Sequence, residues 1–349
     1  VQTPNSAPGA PDRGGPATPD ADASATPNAD ASDEFSVIAR LRARFEAAPG
    51  GAPAPGDLGI GDDAALIALP PGPAVFATDL VVEGVHVDLD VSSPADVGWK
   101  ALMVTVSDLA AMGAEARAVL LSVAAPAGFP LDDLADGVAQ AASAAGCAVV
   151  GGDLSAAPLL VVSVAAVGWV PDDGGAPALR RSGARAGDAL VVTGPLGASA
   201  AGLRLARRGS ADSGGPLDPQ DEALVAAHRR PAARLAEGRA ARRGGARAAV
   251  DLSDGLVADA VHLAEASGVG LDLVACDGLV APGATLDEAL GGGEDYELLC
   301  ATPDPDALIG AFRAAGLRPP LVVGRCTAEP SRRTLGGGPL PGTGWRHRF

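Results

Sequence analysis

Short apolar runs alternate along this chain with stretches of helical spacing, and glycine and aspartate stand where the runs stop. A run of four to eight apolar residues between turn formers reads as a strand, and apolar residues recurring three and four apart read as a helix. On that basis the first half holds helices from Phe35 to Phe45, from Pro94 to Met112 and from Leu131 to Ala145. Its strands are Ala64–Leu69, Ala74–Thr78, Gly84–Leu89, Ala118–Ala124, Ala148–Val150 and Leu159–Val170. In the second half, strands Ala189–Thr193, Ala248–Val250, Leu271–Val274, Glu297–Ala301 and Leu321–Val323 are separated mostly by helices. Such alternation predicts an α/β (α+β) architecture in two lobes. The turn-rich stretch Pro171–Pro177 marks the expected boundary, giving a first domain over 34–171 and a second over 172–349. Residues 1–33 carry almost no large apolar side chain, so this segment cannot offset its ordering entropy and is expected to be disordered.

Charge and composition exclude several classes. With 26 Lys+Arg against 43 Asp+Glu in 349 residues, the net charge is −17. That balance argues against a nucleic-acid binder, whose affinity comes from basic groups on phosphates. Lys100 is the sole lysine and is followed by Ala101, so a P-loop of the form G-x-x-x-x-G-K-[ST] is impossible. Cys147, Cys276, Cys300 and Cys326 form no C-x-x-C and sit in or beside apolar runs, as buried free thiols do. No uninterrupted apolar stretch reaches the length of a membrane span, and the N-terminus lacks the basic-then-apolar order of a signal peptide. A cytoplasmic protein is expected, with no membrane partner.

The acids of the ordered part gather at element ends beside glycine. They are Asp62-Asp63 after Gly61, Asp79 at a strand end, Asp153 after Gly151-Gly152, Asp251 and Asp254 around Ser253, and Glu294-Asp295 after Gly291–Gly293. Each taken alone reads as a turn former or a helix cap. Asp108 is different, because it lies inside the apolar stretch Ala101–Met112. A carboxylate there needs a cation or donors, since burying it unpaired is very costly. Carboxylates with open oxygen positions suit Mg²⁺, which shares phosphate ligands with the protein. The four histidines are too scattered for a zinc site. From the residues alone, the inference reaches metal-dependent phosphate chemistry.

The strings themselves then carry a resemblance. Gly59-Ile60-Gly61-Asp62-Asp63, Thr78-Asp79, Glu83-Gly84-Val85-His86, Lys100-Ala101-Leu102, Ser107-Asp108-Leu109-Ala110-Ala111-Met112-Gly113, Gly151-Gly152-Asp153, Arg181-Ser182-Gly183, Asp251-Leu252-Ser253-Asp254-Gly255 and Gly293-Glu294-Asp295-Tyr296 occur in that order. Together they resemble the thiamine-monophosphate kinases of the PurM-like, AIR-synthetase-related superfamily. The resemblance implies a PurM-like two-domain fold. Its N-terminal domain would form a shared β-barrel in a homodimer, and its C-terminal α/β lobe would carry a mixed sheet. It implies transfer of the ATP γ-phosphate to thiamine monophosphate, with ATP as co-substrate and several Mg²⁺ ions as cofactors.

By motif position, Asp63, Thr78, Asp79, Asp108, Asp153, Asp251 and Asp254 would hold metal, and Gly152, Asp153, Arg181 and Ser253 would meet ATP. His86, Glu294 and Trp345 would meet the thiamine substrate. No protein nucleophile or base is implied. Sister activities on the same fold are the alternatives, namely selenophosphate synthesis, AIR synthesis and hydrogenase maturation, as is a non-catalytic nucleotide- or metal-binding protein. No cysteine precedes Cys147, where selenophosphate synthetases carry a reactive one, and the chain ends in Arg346-His347-Arg348-Phe349 rather than in a cysteine.

Overall fold

A computed structural model describes residues 34–172, 176–211, 217–342 and 344–345. The expected disordered tail and the terminal Arg346–Phe349 lie outside the described residues.

Ser93 starts the central helix. Its side chain accepts from the Asp96 N–H, Asp96 reaches back to the Ser93 N–H, and Pro94 takes the first turn, completing a capping box. The order of elements through this half is α1 (Glu34–Ala47), β1 (Ala74–Val82), α2 (Pro94–Ala111), β2 (Glu115–Ala125), α3 (Leu131–Ala145), β3 (Ala148–Ala156) and β4 (Val161–Trp169). Helix α2 is buried nearly all round, as its mostly apolar sequence demands, and Lys100 and Ser107 are buried with it. It packs on α3, on β1 and β4, and also on elements of the second half. The α2–α3 approach depends on glycine. A Cβ at Gly137 would lie 1.8 Å from the Ala95 carbonyl oxygen, and one at Gly98 would lie 2.1 Å from that of Leu134.

The four strands form one sheet in the order β1-β4-β2-β3, antiparallel except for β2 beside β3. Helices cover one face. The other presents Phe76, Leu80 and Leu120, which are 76%, 51% and 44% exposed.

The second half runs β5 (Ala189–Val192), α4 (Ala198–Ala211), α5 (Pro219–Arg229), α6 (Leu235–Arg243), β6 (Ala248–Asp251), α7 (Leu256–Ser267), β7 (Gly270–Leu273), α8 (Leu286–Gly291), β8 (Leu298–Thr302), α9 (Pro305–Ala314), β9 (Leu321–Thr327), β10 (Arg333–Leu335) and β11 (Gly338–Pro339). Its seven strands form a mixed sheet in the order β11-β10-β7-β9-β5-β8-β6. Each lobe has its own apolar core, and a third cluster joins Ala110 and Ala111 of α2 to Leu298, Leu308 and Phe312. The indole Nε1 of Trp99 donates to the Pro231 carbonyl at 2.7 Å, and the Arg230 guanidinium lies 5.6 Å from the Trp99 ring centroid.

Four local readings change. Ala64–Leu69 forms no ladder beyond one bridge between Leu58 and Leu66. Instead Ala65 and Ile67 pack onto Ala118, Ala148 and Val150 of the sheet. Gly84–Leu89 is a turn, because the N–H groups of Val85, His86 and Val87 converge on the Val82 carbonyl and Gly84 takes a φ of 76°. Strand β1 continues past Thr78 to Val82, which puts Asp79 in mid-strand. Strand β3 likewise runs through Gly151-Gly152-Asp153. Pairing with β4 and β2 extends these strands, and local apolar pattern does not report a neighbour's length.

Candidate active site

Three carboxylates meet where α2 crosses between the lobes. Asp79 comes from β1, Asp108 from the last turn of α2 and Asp251 from the end of β6. Burial pushes the Asp108 carboxyl up to about 7, and the charges of Asp251 and Asp79 push the same way while Arg181 opposes them. Asp79 is raised by burial and by Asp251. Asp251 is only 4% exposed and is raised chiefly by burial, although Ser107 Oγ donates to its Oδ2 at 2.7 Å. Like charges held this close without a cation favour protonation. A hard divalent ion would relieve that repulsion, since carboxylate oxygens, waters and substrate phosphates are its ordinary donors. The residues present therefore fit Mg²⁺.

A second acidic group adjoins the first. Asp254, Asp259 and His262 bring one ligand atom each to within 4.8 Å of one another. Asp259 is 3% exposed, its carboxyl accepts from the Asp254 N–H at 3.0 Å, and burial lifts it to about 7. Arg181 faces this whole region, since its charge lowers Asp108, Asp251 and Asp259 alike.

Other expected metal residues stand apart. Asp153 shares a sheet row with Ser122, Ser163 and Leu80, whereas Asp79 belongs to the adjoining row, whose side chains leave the opposite face. Three strand spacings, roughly 14 Å, separate β1 from β3. Gly152 precedes Asp153 in β3. Asp63 is exposed in its loop, with its N–H donating to Asp62 Oδ1 at 2.8 Å. The Thr78 hydroxyl donates to the Val164 carbonyl at 3.0 Å.

Beside the carboxylates opens a cavity of about 620 Å³, lined from both lobes. The first lobe contributes Asp79, His86 and Asp88; the second contributes Ser253, Asp254, Glu294, Tyr296 and Trp345. All three residues expected at the thiamine substrate therefore share one space with Ser253 and two of the expected metal ligands. Trp345 is held there by its N–H, which donates to the Asp254 carbonyl at 3.2 Å, and its side chain is half exposed. Glu294 and Tyr296 take left-handed φ values of 68° and 51°. Such backbone costs on the order of 1–3 kcal/mol per residue and persists where the surroundings over-determine it. Here the Glu294 N–H donates to Ser253 O at 2.8 Å and the Tyr296 N–H to Leu252 O at 3.0 Å, so the loop is locked onto the Asp251–Asp254 segment.

The models for the AIR synthase related protein, N-terminal domain, and the AIR synthase related protein, C-terminal domain, match residues 61–170 and 185–335. The chain is 39% identical over 322 residues to the thiamine-monophosphate kinase of Mycobacterium tuberculosis, covering 90% of this chain and 91% of that one. The chain belongs to the thiamine-monophosphate kinase family. Another member of the family, from Escherichia coli K12, is 36% identical over 283 residues, covering 78% of this chain and 83% of the relative. Among solved structures, the thiamine-monophosphate kinase of Stenotrophomonas maltophilia K279a superposes with a TM-score of 0.73 at 34% identity, covering 88% of this chain and 97% of that one. AaThiL complexed with AMPPCP and TMP gives 0.67 at 30% identity, covering 90% and 97%.

Sequence reasoning about this family's motifs missed Lys100, Ser199, His228 and Asp259. Lys100 stands in one of the strings that carry the resemblance, Lys100-Ala101-Leu102, but the string by itself assigns it no role. His228 and Asp259 sit in ordinary helical patterns, and nothing in their neighbours announces a cavity.

Proposed function

We propose that this chain transfers the γ-phosphate of ATP to thiamine monophosphate, giving thiamine diphosphate and ADP. The observation that carries this reading is the cavity of about 620 Å³ that opens on Asp79 and Asp254 and holds His86, Glu294 and Trp345 together. A terminal phosphate oxygen of thiamine monophosphate attacks the γ-phosphorus. The bond from that phosphorus to the β,γ-bridging oxygen breaks, and ADP leaves with the electron pair. The attacking oxygen is already ionised near neutral pH, so no protein base is required. Bound Mg²⁺ would neutralise charge on the phosphate oxygens and help bring the two anions into line.

Asp79, Asp108 and Asp251 would hold that metal, with Asp254 beside them. Arg181 would offer its guanidinium fork to phosphate, consistent with its position facing the acids. Ser253 lies between Asp251 and Asp254 and would meet the nucleotide. The Trp345 ring face would stack on a flat heteroaromatic or cationic ring of thiamine, and its N–H fixes the tail against Asp254. His86 and Glu294 would line the same cavity. The assignments of Asp63, Thr78, Gly152 and Asp153 to metal or ATP rest on their motifs alone.

We also propose a homodimer formed through the first lobe, over residues 34–171. The support is the exposed Phe76, Leu80 and Leu120 on the sheet face that no helix among the described residues covers. Incubating the purified protein with ATP, Mg²⁺ and thiamine monophosphate tests the reaction. Chromatography should find thiamine diphosphate and ADP in equal amounts; a folded protein that makes neither defeats the reading.

A further inference from the structure

The only lysine of the chain is buried, 3% exposed, in the middle of α2. Burying an ammonium is costly unless its donors find partners. Lys100 Nζ lies 2.7 Å from Glu294 Oε1 and donates to the His86 carbonyl at 3.5 Å. One ammonium thus touches both the 83–87 turn of the first lobe and the 293–296 loop of the second. The other oxygen of the same carboxylate, Glu294 Oε2, lies 3.5 Å from His228 Nδ1 on α5, and that nitrogen is 3.1 Å from Ser199 Oγ on α4. His228 is 5% exposed, and burial together with the charge of Lys100 holds its ring well below the ordinary histidine range, at about 3. The ring is therefore neutral at working pH. Lys100 is the cation that balances Glu294.

Glu294 needs such a partner for a second reason. It stands at a φ of 68°, in a region that a glutamate occupies only when its surroundings hold it there. Its carboxylate still faces the cavity and is 28% exposed. Two walls of the cavity, from different lobes, meet on one nitrogen. The side-chain contacts of Lys100 and His228 involve none of Asp79, Asp108 and Asp251, although the backbone of the Glu294 loop is bonded to the Leu252–Ser253 segment.

We propose that Lys100 is a positioning residue that sets Glu294 and the His86 turn in the arrangement that receives the thiamine moiety of the phosphate-acceptor substrate. This rests on the reaction proposed above. His228 supports the same carboxylate from its far side as a neutral group. The ammonium does not touch phosphate and takes no part in the transfer itself. It acts through Glu294, so its loss is felt in acceptor binding and not in ATP binding.

The test is a cycle of Lys100→Met, Glu294→Gln and the double variant, with steady-state kinetics on both substrates. Truncating one partner of a buried charge pair is expected to raise KM for thiamine monophosphate at least about tenfold. KM for ATP should stay within about twofold, and the double variant should be no worse than Glu294→Gln alone. Hydrogen exchange of the 291–297 amides in the free protein should speed up in Lys100→Met, which reads the clamp without any turnover. If Lys100→Met does not fold, Lys100→Gln removes the charge while keeping a polar side chain of similar length, and a raised KM for the acceptor with KM for ATP unchanged is again the expected result. An unchanged KM for the acceptor overturns the proposal. So do losses that multiply in the double variant, or unchanged exchange in the loop. A wild-type protein that does not use thiamine monophosphate defeats the reaction and this substrate assignment together, whereas an active wild type with an unaffected Lys100→Met defeats the positioning role alone.

Discussion

Ser107 Oγ donates a 2.7 Å hydrogen bond to Asp251 Oδ2, across 144 positions of sequence. The bond ties helix α2 of one lobe to the end of β6 in the other, one residue before Asp108. It holds two carboxylates of opposite lobes in the same small volume, and it satisfies one of the lone pairs of a group that is 4% exposed. The carboxylate cluster is thus part of the contact between lobes, and disturbing one should disturb the other.

Ser107→Ala removes the donor and leaves a buried carboxylate oxygen without it. Stability should fall by about 1–3 kcal/mol. Urea unfolding of the variant and wild type, at one pH and without divalent metal, measures this. An unchanged midpoint would show that the bond contributes nothing net.

Asp108 and Asp259 are each pushed up to about 7, and Asp79 and Asp251 are raised as well. A carboxyl whose folded-state pKa lies above its unfolded value of 3.8 adds stability below that value and loses it as pH rises through the folded pKa. The metal-free protein should therefore lose Tm between about pH 4 and pH 8, most steeply above about pH 6.5, because the His228 ring, lowered from 6.5 to about 3, acts with the opposite sign below that value. Paired carboxyls such as Asp96 and Asp132, which are lowered, act with the opposite sign but below that window. Added Mg²⁺ should recover the loss at pH 8, because it binds only the folded arrangement. Thermal melts across pH, with EDTA and with Mg²⁺, give the answer, and a metal-free Tm that rises toward pH 8 contradicts it.

Asp108→Asn should move activity and stability in opposite directions. Turnover should drop by about 10²-fold or more, as for other losses of transition-state charge stabilisation. The metal-free Tm at pH 8 should rise, because a neutral amide no longer repels Asp79 and Asp251. Kinase assays and melts on the same preparation check both halves. A variant that loses activity and also melts earlier at pH 8 would point to a packing role for Asp108.

Trp345→Ala should raise KM for thiamine monophosphate by about two- to tenfold, the range of an aromatic stacking contact. KM for ATP should not change. Equal effects on both substrates would place Trp345 in general closure of the site instead.

Phe76→Asp tests the proposed dimer. Phe76 is 76% exposed on the sheet face away from the helices, so a charge there costs the monomer little and a packed interface much. Sedimentation velocity should show a dimer for the wild type and a monomer for the variant. A variant sedimenting as the wild type does would move the interface elsewhere.

Where local pattern is sufficient, sequence and structure agree closely. Pro94 after Ser93 starts α2, and Gly146 with a φ of 70° ends α3, because capping is a matter of a few adjacent residues. The oddity of an aspartate at position 108 in an apolar helix was also legible, and it does mark a cluster of acids. Mid-strand Asp79 was not legible as such, since the reach of β1 is decided by its partner β4. The 84–87 turn read as a strand because its apolar residues mimic alternation, while three N–H groups sharing one carbonyl leave no trace in composition.

By itself, the sequence determined the alternating α/β elements, the acid-bearing glycine turns and the family's motif order. All of these are properties of neighbours along the chain. Only the tertiary structure decided that Ser107 meets Asp251, that the sole lysine spans His86 and Glu294, and that Asp153 stands on another sheet row from Asp79. Those facts depend on which surfaces pack across a hundred or more residues. A side chain's burial, charge and neighbours follow from that packing and not from the residues beside it in the chain.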